Sequence, residues 1–153
     1  MRMKTSLRTL TAAVALCAGL FGVNAADKHD HKHLATPKGG RVLDKTSPHA
    51  EVVIEKDRNI TINFYNDELK PVAATTQAAT VIANGRSGKV TVDFEKKGDS
   101  LASKSKLPEG DGYNIVVQFR QTTEAKPQNF RFKLDMSTCG GCKRHEYACI
   151  CDH

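Results

Sequence analysis

Between His49 and Met136, apolar and polar residues alternate one for one in run after run, the two-residue period of strands that bury a single face. Ala50, Val52 and Ile54 alternate with His49, Glu51, Val53 and Glu55. Ile60, Ile62 and Phe64 alternate with Thr61, Asn63 and Tyr65, and Asp57-Arg58-Asn59 supplies a hairpin turn between the two runs. The pattern recurs in Val90-Val92-Phe94, in Tyr113-Ile115-Val117-Phe119 and in Phe130-Phe132-Leu134-Met136. Weaker strands are expected over 41–44, 75–83 and 100–103, with turn residues such as Lys97-Gly98-Asp99 between runs. No segment sustains a helical period. Seven or eight short strands must hide their apolar faces against each other. The expected fold is therefore all-β, an Ig-like antiparallel β-sandwich, with closure into a barrel as the alternative.

The first residues have a different character. Arg2, Lys4 and Arg8 precede an apolar run of about 14 residues from Leu10 to Val23, too short to span a bilayer as a helix. Val23-Asn24-Ala25 then offers compact residues to a signal peptidase. The reading is a cleavable signal peptide over 1–25, and hence a periplasmic or secreted protein. No later run approaches membrane-spanning length, so no membrane association is expected after cleavage. Losing three leader cations leaves 20 basic against 17 acidic residues, a net charge of +3. That is an ordinary surface and not the footprint of a nucleic-acid binder.

Three zones follow: a flexible histidine-rich segment over 26–38, a β domain over 39–136, and a cysteine-rich tail over 137–153. The tail carries the most specific signal. Cys139, Cys142, Cys149 and Cys151 follow the spacing C-x2-C-x6-C-x-C, and the domain before them has no cysteine. Cysteines that staple two sheets would be distributed between them; clustering at one end suggests a local site. Cys139 and Cys142 have knuckle spacing, Gly140-Gly141 gives the backbone freedom, and Lys143 and Arg144 offset thiolate charge. Thiolates suit Zn²⁺ in a tetrahedral set and Cu⁺ at lower coordination. His145 and His153 are second-rank ligands. The competing reading is two disulfides, which exported proteins commonly form from an even cysteine count; a third, a thioredoxin-like redox pair at Cys139 and Cys142, lacks the helix and βαβ context that motif needs.

His29, His31 and His33, with Asp30 between the first two, form a second candidate site for a Cu(II), Ni(II) or zinc ion, or else a solvated leader with a chance histidine excess. His49 and Glu51 read as the polar face of a strand. Phosphate loops, nucleophile elbows and helical zinc-protease motifs are absent, so no enzyme is expected.

Gly39-Gly40-Arg41-Val42, His49-Ala50-Glu51-Val52-Val53, Ile60 to Tyr65 and Lys70-Pro71-Val72 together give a resemblance to small bacterial periplasmic β-sandwich proteins linked to heavy-metal handling. It covers residues 37–136. Related domains are fused to periplasmic adaptor subunits of metal efflux pumps, so the resemblance implies a metal-efflux or acceptor protein as partner. Those domains often have a histidine directly before the paired glycines; here the position is Lys38, so no ligand carries over there. The expectation is an exported binder of copper or zinc that holds its ion through the four tail cysteines. A disulfide-stabilised interaction module without metal is the alternative.

Overall fold

The computed structural model describes residues 34–86 and 88–151. The expected signal peptide, His29, His31, His33 and His153 lie outside the described residues. The strands are β1 (Arg41–Leu43), β2 (His49–Ile54), β3 (Ile60–Tyr65), β4 (Pro71–Val72), β5 (Ala78–Gly85), β6 (Gly88–Lys97), β7 (Ser100–Ser103), β8 (Asn114–Arg120) and β9 (Gln128–Lys133). All pairings between them are antiparallel, and among the described residues the one helical element is a single 3-10 turn at Glu146–Ala148. The protein is all-β.

The strands form one hydrogen-bonded path, β1-β2-β3-β7-β6-β5-β8-β9, with β4 beside β3. Two unlinked sheets are not what the ladder gives, and β6 is the reason. Its first residues pair with β5, from Gly85↔Gly88 to Thr80↔Asp93, and its last four pair with β7, from Phe94↔Ser103 to Lys97↔Ser100. A strand that changes partner midway joins both halves of the sheet. Ile62, Phe64 and Leu101 from one half share a core with Val81, Val92, Ile115 and Phe119 from the other, and the Phe64 and Phe119 rings lie 6.2 Å apart. The sheet thus folds onto its own apolar face.

The terminal strands β1 and β9 each have a single strand neighbour, and the tail bridges them. Tyr147 stacks on Phe132 of β9 at 5.9 Å between centroids, and its hydroxyl accepts the Ile54 N–H of β2 at 2.9 Å. Arg41 of β1 donates to the Tyr147 carbonyl at 3.0 Å and covers the Phe132 ring at 5.1 Å. Tyr147 and Ala148 belong to the hydrophobic core. The tail is therefore built into the fold. Burial pushes the Tyr147 pKa up to about 12, so its hydroxyl stays protonated at neutral pH.

The outer face of β2 corrects a sequence expectation. Glu51 is not part of an exposed polar face; it is fully buried. Its carboxylate accepts from Thr36 Oγ1 at 2.7 Å, from the Gly40 N–H at 2.7 Å and from the Tyr65 hydroxyl at 2.6 Å. Burial, and then the bond to Glu51, raise the Tyr65 pKa far above its ordinary value. Thr36, expected in a flexible segment, is 2% exposed, so the chain from Thr36 to Gly40 is a strap across the sheet. His49 sits apart, 3.4 Å from Asp67.

Gly40 is where the strap comes closest. A Cβ there would lie 2.4 Å from the Val52 carbonyl oxygen and 2.8 Å from Val53 Cγ2. Backbone cannot yield cheaply to that overlap, so Gly40→Ala is expected to destabilise the fold by about 1–3 kcal/mol in urea unfolding. An unchanged midpoint would contradict the close approach.

Candidate metal centre

After β9 the chain forms a small ribbon. Thr138 pairs with His145, the Cys139 N–H donates to the Arg144 carbonyl at 2.7 Å, and the Glu146 N–H donates to the Ser137 carbonyl at 2.9 Å. The Lys143 N–H closes the loop on the Cys139 carbonyl at 3.1 Å. The residue in the left-handed region is Lys143 (φ 63°), not either glycine of the Cys139–Cys142 spacer. Gly141 matters for space: a Cβ on it would stand 2.8 Å from the Cys151 sulfur. The 3-10 turn then returns the chain so that Cys149 and Cys151 face Cys139 and Cys142.

The ligand atoms of the four cysteines all lie within 4.8 Å of one another. Cys139 and Cys149 are separated by 3.3 Å, Cys142 and Cys149 by 3.7 Å, and Cys139 and Cys151 by 3.8 Å. A disulfide holds its sulfurs at about 2.05 Å, and none of the four is in one. A tetrahedral zinc with Zn–S bonds of about 2.3 Å sets its sulfurs about 3.8 Å apart. The spacing fits a shared ion and not a covalent bridge. No family model, curated protein or solved structure matches this chain.

The groups around the sulfurs favour a thiolate at Cys142, though not by the expected route. Lys143 donates to the Gly140 carbonyl at 2.8 Å, and the Arg144 guanidinium donates to the Thr36 carbonyl at 3.0 Å. Backbone donors serve instead. The N–H groups of Ile150 and Arg144 bond the Cys142 sulfur and hold its pKa down at about 6. The Cys151 N–H, 3.3 Å from the Cys149 sulfur, pulls that pKa down, but hydrogen bonds with neighbouring thiols and burial outweigh it and push it up to about 12. Cys142 thus ionises easily while Cys149 and Cys151 resist, the stepwise titration expected of thiols that hydrogen-bond one another.

This difference predicts ordered reactivity. In reduced, metal-free protein, iodoacetamide should modify Cys142 first, because the thiolate is the nucleophile and exists above its pKa. The Cys142 rate should rise with a midpoint near pH 6, whereas Cys149 should resist until strongly alkaline pH. Peptide mapping reads both; a common midpoint at the ordinary thiol value would contradict the assignment.

His145 is not a member of the four-sulfur group. Its Nδ1 lies 2.7 Å from the Met136 carbonyl oxygen, and its ring stacks on Tyr147 at 6.0 Å, so it packs the ribbon against the sheet. Sequence reasoning found the cysteines and singled out Gly141, though for backbone freedom and not for the space it leaves the Cys151 sulfur; it missed Tyr147 and did not tie Arg144 to the strap. No helix among the described residues is long and apolar enough to cross a membrane.

Proposed function

We propose that this protein is an exported metal-binding protein, not an enzyme, that holds one soft metal ion through Cys139, Cys142, Cys149 and Cys151. The observation that carries the reading is the mutual approach of four sulfurs to within 4.8 Å, with separations of 3.3–3.8 Å between those in direct contact. Four converging thiolates match the tetrahedral preference of zinc better than the two or three sulfurs that suffice for Cu⁺, so zinc is the favoured ion and Cu⁺ the second. Export rests on the basic and apolar run of residues 1–25, and the acceptor in the periplasm would be a metal-efflux or metal-receiving protein. We read the platform as a sandwich whose layers share β6, a reading supported by the contact between Phe64 and Phe119. The histidines at 29, 31 and 33 would collect ions loosely upstream of the sulfur site.

The test is elemental analysis of the full chain exported by a bacterium and purified anaerobically without an affinity tag or chelator. One zinc or copper per chain, on protein beginning at Ala26, is expected. Reduced, metal-free protein would refute the metal assignment, and protein beginning at Met1 would refute export.

A further inference from the structure

The four sulfurs are arranged in a way that metal binding alone does not require. With the chain turned back by the 3-10 turn, the Cys142 sulfur faces that of Cys149 and, outside that pair in sequence, Cys139 faces Cys151, at 3.7 and 3.8 Å. These pairs are nested, so two bridges could close without one part of the chain crossing another. Four cysteines allow three pairings. Joining Cys149 to Cys151 would form a strained ring of neighbours. Joining Cys139 to Cys149 would use the 3.3 Å contact but interlock the loops, because Cys142 would then have to reach Cys151.

We propose that the site is a redox-gated metal store: disulfide oxidants convert the four metal-bound thiolates into the bridges Cys139–Cys151 and Cys142–Cys149 and release the ion. This rests on the metal reading above. Each bridge forms by thiol–disulfide exchange. One cysteine thiolate attacks a low-molecular-weight disulfide and expels a thiolate; its nested partner then attacks the mixed disulfide and expels a second. Two oxidant molecules take up the four electrons, giving four small thiolates, two protein disulfides and the free divalent ion. The cation is released because a neutral disulfide sulfur is a far weaker lone-pair donor than a thiolate. Three of the sulfurs are only partly buried, which leaves the attacking reagent a path, while Cys139 is buried and would react through Cys151. An exported chain meets such oxidants, so loaded and bridged forms would be two states of one protein.

The experiment treats zinc-loaded full-length protein with oxidised glutathione and follows zinc with a chromophoric chelator, intact mass and peptide mapping. The expected result is release of one zinc per chain, a protein mass four hydrogens below the reduced formula, and the two nested bridges. Dithiothreitol should restore zinc uptake. Retention of zinc under conditions that oxidise free dithiols, stable glutathione adducts, or a Cys139–Cys149 bridge would overturn the proposal. The double variant Cys142→Ser, Cys149→Ser guards against ambiguity: it should still lose two hydrogens through Cys139–Cys151, and failure to do so also overturns the pairing. Reduced protein that never takes up zinc or copper would instead defeat the metal reading itself, an outcome distinct from either.

Discussion

Cys139→Ser is expected to lose stoichiometric metal binding, with an affinity loss of more than about 100-fold in a competition titration against a chelator. Even outer partners of a metal ligand commonly account for 10- to 100-fold in affinity, so removing one of four direct ligands should exceed that. Cys139 is the buried member of the set, in contact with both Cys149 and Cys151, and its backbone closes the ribbon through Arg144 and Lys143. Serine keeps the size of the side chain but offers an oxygen that remains protonated at neutral pH. The variant should fold, because the core of the sheet does not depend on that sulfur. It should also lose any protection that the ion gives the tail, read as faster amide exchange over 137–151. Binding undiminished in the variant would place the ion elsewhere.

The second large effect lies at the buried carboxylate. Glu51→Ala would leave the Thr36 hydroxyl, the Gly40 N–H and the Tyr65 hydroxyl without their acceptor, in a place closed to water. Each stranded donor costs about 1–3 kcal/mol, and partial relaxation of the strap leaves an expected total of about 3–5 kcal/mol in equilibrium urea unfolding. The loss should spread to the tail, because the strap residue Thr36 also accepts from Arg144. In the variant, amide protection should therefore fall over 36–40 and around Arg144 together. A change below about 1 kcal/mol would mean that water reaches those groups and that the strap is not sealed.

The Glu51 effect arises where local pattern and tertiary placement part company. Alternation identified the strands because a strand with one buried face has a two-residue period, and the alternating burial from Asn114 to Arg120 shows it plainly. The same alternation placed Glu51 on the outer face, correctly, but could not tell a solvated outer face from one covered by a strap. Thr36 to Gly40 has no periodicity, and what holds it in place is tertiary: the Glu51 carboxylate and the Arg144 guanidinium. The change of partner within β6 was equally silent, since Val92 and Phe94 read alike whichever strand lies beside them. The short β4 at Pro71–Val72 is too brief for any periodic signal.

At the tail, spacing was informative because two ligands separated by two residues already fix a turn. The spacing named Cys139, Cys142, Cys149 and Cys151 as one group, and they are together. It could not show that His145 turns to the Met136 carbonyl, nor that Tyr147 reaches β2, since both depend on how the tail lies against β9 and β1. The basic residues misled for a related reason. Lys143 and Arg144 adjoin the sulfurs in sequence, but their charged ends bond carbonyl groups, and backbone N–H groups take over the electrostatic role.

The most direct test is X-ray absorption spectroscopy at the metal edge of protein loaded with one equivalent of zinc under reducing conditions. The account predicts a single shell of four sulfur scatterers at about 2.3 Å. A shell containing nitrogen or oxygen in place of sulfur, or protein that fails to retain the ion, would contradict it.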